Sequence, residues 1–205
     1  MKVYASILGA DLLHLGVFID KLTMMEVDGI HLDFMDHHYV PNMAFGPAWI
    51  EQIRRYTDLP IHVHLMMKQV DAKKCYDWHQ LGASAFMIHP ETWVDSHDAW
   101  VQMCQDMPIY AVINPIPDRI NLSSIASYVR GVLMMTVRPG FAGQTFMAEA
   151  LQGIPAGFDE VWVDGGVGRD QLPDLCDRGI KGVVLGSSLN SDDAADLIAA
   201  YKSAN

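Results

Sequence analysis

Positive charge is scarce in this chain: 14 Lys and Arg face 25 Asp and Glu, a formal net charge of −11 over 205 residues. Nucleic acid and charged membrane surfaces are usually gripped through a basic face, so neither is an expected partner. Cysteine is also sparse. Cys75, Cys104 and Cys176 stand far apart without a CxxC pair, and an odd, scattered set argues against a disulfide framework and for a reducing compartment. The opening Met1-Lys2-Val3-Tyr4-Ala5-Ser6 lacks the charged-then-apolar pattern of a secretory signal. No apolar run approaches the roughly 18 residues that span a bilayer. The expected location is cytoplasmic. Linkers, low-complexity stretches and charge blocks are missing too, so residues 1–205 are expected to form one domain.

Several catalytic signatures are absent. Gly166-Val167-Gly168 does not continue into GxGxxG, because position 171 is Gln171, which removes the dinucleotide fingerprint. There is no GxSxG nucleophile elbow. No lysine falls at an expected strand end, which argues against Schiff-base aldolase chemistry.

What the chain does have is a buried-core composition, 50% hydrophobic and 19% charged, with nine His and thirteen Met. Short β-rich runs recur at Lys2–Ile7, Gly29–Phe34, Pro60–Leu65, Ser84–His89, Ile109–Asn114, Gly131–Val137, Glu160–Val163 and Gly182–Leu185. Helix-like stretches separate them: Asp11–Met25, Pro47–Tyr56, Asp71–Leu81, His97–Gln105, Asn121–Tyr128, Gln171–Arg178 and Ser191–Lys202. Strand ends repeat every 22 to 31 residues, from Ser6 through Asp33, His64, His89, Asn114, Thr136 and Asp164 to Gly186. Such spacing predicts parallel strands with helical crossovers. Eight of them point to a single-domain α/β fold, a parallel eight-stranded (β/α)8 TIM barrel, with an open doubly wound sheet as the rival. Met147–Phe158 carries Gly153, Pro155 and Gly157, so its crossover is expected to shrink to a turn or two.

Chemistry in such barrels gathers at the C-terminal strand ends, and here those ends are polar. Alternation along a strand lets His31 and Asp33 face inward together, and His62 with His64; Asp164 follows from the seventh strand. Buried imidazoles and carboxylates are costly unless paired or bound to metal, so a converging set suits a divalent cation such as Zn, Fe, Mn or Co. Two glycine-bearing turns, Arg138-Pro139-Gly140-Phe141-Ala142-Gly143-Gln144 and Gly186-Ser187-Ser188, follow the sixth and eighth strands. With Gly165-Gly166 they let backbone N–H groups approach an anion, and phosphate commonly sits there in this fold.

The blocks Ala5–Asp11, His31–Asn42, His64–Met66, Met135–Gln144, Val163–Gly166 and Gly186-Ser187 resemble, in order and over nearly the whole chain, the ribulose-phosphate 3-epimerase family. The resemblance implies a metal-dependent isomerase of carbohydrate metabolism, in the pentose phosphate pathway, that interconverts D-ribulose 5-phosphate and D-xylulose 5-phosphate. It implies one divalent cation held by His31, Asp33, His64 and Asp164, with Asp33 and Asp164 as the catalytic proton-transfer pair. It further implies substrate contacts from Ser6, His64, Met35, Met66 and Met135, and phosphate contacts from Gly140, Phe141, Ala142, Gly143, Gly165, Gly166, Gly186 and Ser187. The expected partner is a small ketose phosphate, and the expected assembly a homo-oligomer. Departures from the family pattern are Arg138 for Asn, Ala142 for Gly, His62 for Asp, and His37 for Gly or Asn. His62 is expected one layer below the metal, whereas Arg138 either assists an anion or faces solvent. Two alternatives remain: 3-epimerisation of a hexulose phosphate such as D-allulose 6-phosphate, and a non-catalytic sugar-phosphate-binding paralogue.

Overall fold

The computed structural model of the protein describes residues 1–115 and 122–204. Eight parallel strands close on themselves: β1 (Lys2–Ser6), β2 (Gly29–Asp36), β3 (Ile61–Met66), β4 (Ala85–Ile88), β5 (Ile109–Ile113), β6 (Gly131–Met135), β7 (Val161–Asp164) and β8 (Gly182–Leu185). Each pairs with its sequence neighbour. Closure comes from β1 pairing both β2, at Tyr4 with Gly29, and β8, at Lys2 with Gly182. The expected (β/α)8 barrel is the observed one, and the open-sheet rival is excluded by the pairing of β1 with β8.

Six α-helices lie among the described residues: α1 (Leu15–Met24), α2 (Pro47–Tyr56), α3 (Ala72–Gln80), α4 (His97–Asp106), α5 (Leu172–Asp177) and α6 (Ala194–Ser203). Their starts follow local chemistry. Asp71 and Ser96 accept hydrogen bonds from the amides of Lys74 and Ala99, and Pro47 supplies a preset φ at the first position of α2. The sixth crossover is reduced to a 3₁₀ segment, Ala148–Gly153, as its Gly and Pro content implies. The expected helix Asn121–Tyr128 does not form over its described part, which is a 3₁₀ turn at Leu122–Ser124. Asn121, and Ile116 and Pro117 of the preceding loop, lie outside the described residues.

Strand alternation sorts the core into two compartments. Val3, Ala5, Ile30, Leu32, Val63, Phe86, Ile109 and Val183 point outward against the helices. Tyr4, Ala85, Met87, Tyr110, Val112, Leu133, Met135, Trp162 and Val184 fill the barrel. One interior layer comes from four alternate strands: Tyr4, His62, Tyr110 and Trp162. Its ring centroids lie 4.0 Å apart for Tyr4 with His62, 5.1 Å for Tyr4 with Trp162, and 5.8 Å for His62 with Tyr110. Such ring pairs contribute about 0.5–1.5 kcal/mol each beyond area burial. The layer forms a floor. Burial, with help from His31 and Lys2, pushes the His62 imidazole down to about 3, so it is neutral there. His62 therefore sits below the cluster built on His64, as its strand position implied.

After β2 the chain makes a tight excursion. The two-residue strand Met43–Ala44 returns antiparallel onto Met35 and Asp36. Asp36 Oδ1 accepts from the amides of His38 and Tyr39 at 2.9 Å each, and Oδ2 from that of Lys68 at 2.8 Å. His37 turns the corner at φ +61°, left-handed backbone that Gly or Asn adopts more readily. Asn42 Nδ2 then donates to Gly140 O at 2.7 Å, tying this excursion to the loop after β6.

Candidate active site and metal centre

The cluster stands directly on the aromatic floor. β2 and β3 run in register with Asp33 opposite His64, so one pair of neighbouring strands delivers three polar groups to the same level. His31 and His64 are fully buried, Asp33 nearly so, and the Asp164 side chain is 14% exposed. Nε2 of His31 lies 3.2 Å from Asp33 Oδ1 and 3.5 Å from Asp164 Oδ2. Nδ1 of His64 lies 3.2 Å from Asp33 Oδ1 and 3.7 Å from Asp164 Oδ2. All four candidate donor atoms fall within 4.8 Å of one another.

These spacings test the fit to a metal. A tetrahedral shell with donors at about 2.0–2.1 Å has edges of roughly 3.3–3.4 Å. The four distances bracket that edge. Two imidazoles and two carboxylates also match borderline first-row cations in ligand type. The group fits a divalent cation.

Burial alone would raise the Asp33 carboxyl. The His31 charge, hydrogen bonds from His31 and His64, and the His64 charge outweigh it and hold the group well below the ordinary carboxylate range. Asp164 moves the other way: burial raises it, and the Asp33 charge adds to the rise against the pull of His31 and His64. For His31, burial opposes the charged form, but Asp33 and Asp164 overcome it and the imidazole is raised. Two carboxyl groups thus stand at one level beside two buried imidazoles, a set of groups able to exchange protons.

Above the cluster opens a pocket lined by Ser6, Asp33, Met35, Met66, Met135, Gly140, Phe141, Ala142, Gly143, Asp164, Gly165, Gly166, Gly186 and Ser187. The structure brings together every residue expected there from the sequence, with His31 and His64 buried beneath it. Ser6 Oγ donates to Asp33 Oδ2 at 2.9 Å. Met35, Met66 and Met135 are buried and provide an apolar wall without exchangeable protons. Leu8, Val137, Pro139, Gln144, Val167 and Val184 also line the pocket, and none of them was among the contact residues expected from the sequence.

Among the described residues, none that lines the pocket is Lys or Arg. An anion there meets backbone instead. Gly165 has φ +116° and Gly166 φ +64°, and a Cβ on Gly166 would stand 2.5 Å from Phe146 N. Close backbone approach at that point therefore requires glycine. Ala142, where the family resemblance led to an expectation of glycine, is absent from the positive-φ residues, so its methyl group is tolerated. Arg138 is exposed and lies on a neighbouring cleft with Tyr39, Glu91 and Asn114, outside the lining of this pocket.

His89 is the polar residue sequence reasoning passed over. It ends β4, is fully buried, and its Nε2 lies 3.0 Å from Nε2 of His64. Burial, reinforced by the His64 charge, drives its imidazole well below the ordinary histidine range. Its place in the repeat of strand ends, between His64 and Asn114, was the available signal.

The model of the ribulose-phosphate 3 epimerase family matches residues 2–190. The chain is 33% identical over 201 residues to ribulose-phosphate 3-epimerase of Bacillus subtilis (strain 168), covering 92% of both chains. It is 34% identical over 204 residues to the Escherichia coli (strain K12) protein of that name, covering 92% of this chain and 90% of that one. Among solved structures, 3-hexulose-6-phosphate synthase from Salmonella typhimurium superposes with a TM-score of 0.71 at 14% identity, covering 100% and 98% of the two chains. A 3-keto-L-gulonate-6-phosphate decarboxylase from Vibrio cholerae gives 0.68 at 11%, covering 98% and 95%. These last two likenesses speak to the barrel alone. Sequence matches over nine-tenths of the chain carry the assignment further: it belongs to the ribulose-phosphate 3-epimerase family, enzymes classed as isomerases of carbohydrate phosphates.

Proposed function

We propose that this protein is a metal-dependent 3-epimerase interconverting D-ribulose 5-phosphate and D-xylulose 5-phosphate. The observation that carries this reading is the convergence of two carboxyl groups, Asp33 on β2 and Asp164 on β7, with two buried imidazoles. Inversion at C3 beside a C2 ketone needs one proton removed from one face and another delivered to the opposite face. Asp33, held ionised, takes the C3 proton in one direction. Asp164 delivers one from the other side, and the reverse reaction exchanges the roles. β1 and β8 stand between the two strands that carry them, so the carboxyl groups approach a flat intermediate from different sides.

His31, Asp33, His64 and Asp164 would hold one divalent cation, of the Zn, Fe, Mn or Co type. When bound, that cation supplies Lewis-acid stabilisation of the oxyanion character developing at C2 and C3. Ser6 orients Asp33 through its hydroxyl. Met35, Met66 and Met135 exclude water from the reacting carbons, which strengthens each charge interaction nearby. The glycine-bearing turns at 140–143, 165–166 and 186–187 receive the phosphate through backbone N–H groups, a suitable arrangement for a protein of net charge −11. Free Cys75, Cys104 and Cys176 support a reducing, cytoplasmic setting in pentose phosphate metabolism.

The test incubates purified, metal-analysed protein with ribulose 5-phosphate in D₂O. Deuterium at C3 together with xylulose 5-phosphate is the expected result. Absence of exchange with ribulose 5-phosphate and with allulose 6-phosphate, at full metal content, would overturn the reading.

A further inference from the structure

A chain of hydrogen bonds leads from His64 out to the mouth of the barrel. His64 Nε2 is 3.0 Å from His89 Nε2, and His89 Nδ1 is 2.8 Å from Tyr39 Oη. Tyr39 Oη donates to Glu91 Oε1 at 2.7 Å. Asn114 Nδ2 donates to Tyr39 Oη at 2.8 Å and to Glu91 Oε1 at 3.3 Å. The chain begins on a fully buried ring and ends on a carboxylate whose side chain is 28% exposed.

Proton bookkeeping along this chain allows one polarity. An ionised carboxylate only accepts, so Glu91 claims the single hydroxyl proton of Tyr39. Tyr39 Oη then faces His89 with a lone pair, and His89 Nδ1 must carry the ring proton. A neutral imidazole has one N–H, which leaves His89 Nε2 as an acceptor. His64 Nε2 therefore donates to it, and with a cation rather than a shared proton between its other nitrogen and Asp33, the His64 lone pair falls on Nδ1. That nitrogen is the one aimed at Asp33 Oδ1 and Asp164 Oδ2. With the opposite polarity, Tyr39 would spend its proton on His89 and press an oxygen lone pair against Glu91 at 2.7 Å.

We infer that Glu91, Tyr39, Asn114 and His89 are positioning residues that fix the tautomer and ring orientation of His64, presenting its Nδ1 lone pair to the cation. The inference rests on the metal reading above. Hydrogen bonds to the outer nitrogen of a metal-bound histidine set its tautomer and raise its basicity, and their loss typically weakens metal affinity about 10- to 100-fold. The chain also gives the loop after β2 and the end of β4 a shared role. Tyr39 and Glu91 line a neighbouring cleft with Asn114 and Arg138, and neither lines the pocket over the cluster.

The test uses Tyr39→Phe, which changes no charge, Glu91→Gln, which is isosteric, and the double variant. Each is stripped of metal and titrated with Co²⁺ against a competing chelator. Melting of the metal-free proteins controls for folding. Each single variant is expected to bind Co²⁺ about 10- to 100-fold more weakly, with a shifted visible absorption spectrum of the bound Co²⁺. Because both act through one chain, the double variant is expected to bind no worse than the weaker single one. Affinities within twofold of the parent, or losses that multiply in the double variant, overturn the inference. Should Tyr39→Phe fail to fold, Glu91→Gln decides alone. A parent that does not bind Co²⁺ overturns the metal reading and this inference together. A parent that binds Co²⁺, with weakened variants but no turnover of any ketose phosphate, upholds the chain and overturns only the epimerase assignment.

Discussion

Replacing Gly166 with alanine tests whether the anion-facing wall of the pocket depends on backbone that glycine alone permits. At φ +64° an added Cβ crowds the following carbonyl at a cost of about 1–2 kcal/mol. The same carbon would stand 2.5 Å from Phe146 N and 2.8 Å from Gln144 O, whereas ordinary contact begins at 3.4 Å. The 144–146 backbone must then retreat by nearly 1 Å, from 2.5 to 3.4 Å at Phe146 N. Overpacking of this kind costs about 1–3 kcal/mol. Together these terms amount to about 2–5 kcal/mol, and in a chain of this size each kcal/mol lowers Tm by roughly 2–4 °C. A fall of roughly 4–20 °C is expected. The displacement also travels: Gln144 Nε2 donates to Arg138 O and Phe141 O, so moving Gln144 drags the 140–143 turn. Losing one charge-assisted amide contact to phosphate, at about 1.5–3 kcal/mol, raises KM for ribulose 5-phosphate about 10-fold or more. Gly143→Ala isolates the backbone term, since Gly143 has φ +76° with nothing within 4 Å of its Cβ position. Calorimetric melts and initial rates on both variants decide. If Gly166→Ala melts no lower than Gly143→Ala, or keeps the parent's KM within twofold, the reasoning about this wall is wrong.

Asp164→Asn is expected to reduce turnover by about 10²–10⁴-fold while retaining the fold, read by steady-state rates and circular dichroism; near-normal activity would refute its role in proton transfer. His62, held at about 3, titrates near 6.5 once unfolded. The unfolded chain takes up the proton first, so this contribution to stability is lost as pH falls through 6.5 toward 3. The loss is about 2 kcal/mol by pH 5. His62→Phe should remove that share of the acid sensitivity in urea melts at about pH 7.5 and 5, and an equal loss in variant and parent would sink the argument. His37→Gly relieves left-handed strain at φ +61° of about 1–2 kcal/mol and adds chain entropy worth about 0.5–1 kcal/mol. A Tm higher by up to roughly 6 °C is expected, and a lower Tm counts against it.

The strand count, the strand positions and the inward polar residues were all readable from the chain, because each is a local property. Alternation of period two sends His31 and Asp33 one way and Leu32 the other, whatever the neighbours are. Glycine and proline within 147–158 likewise announced the lost helix of the sixth crossover. Glycines after β6, β7 and β8 marked the anion-facing turns for the same reason, since backbone freedom is written in residue type.

Tertiary structure decided what depends on register and closure. That Asp33 stands opposite His64 is set by the pairing of β2 with β3, and that Asp164 reaches the same level is set by the shear of the closed barrel. The grouping of Tyr4, His62, Tyr110 and Trp162 into one floor joins residues far apart in sequence, which no local pattern connects. His89 was visible as a polar strand end, yet its contact with His64 exists only because β3 and β4 lie side by side. Sequence by itself determined a lean barrel with two carboxylates, two imidazoles and glycine turns at its open end. Only the closed sheet decided which atoms meet, because hydrogen-bond partners across a barrel are chosen by strand stagger rather than by the residues' own preferences.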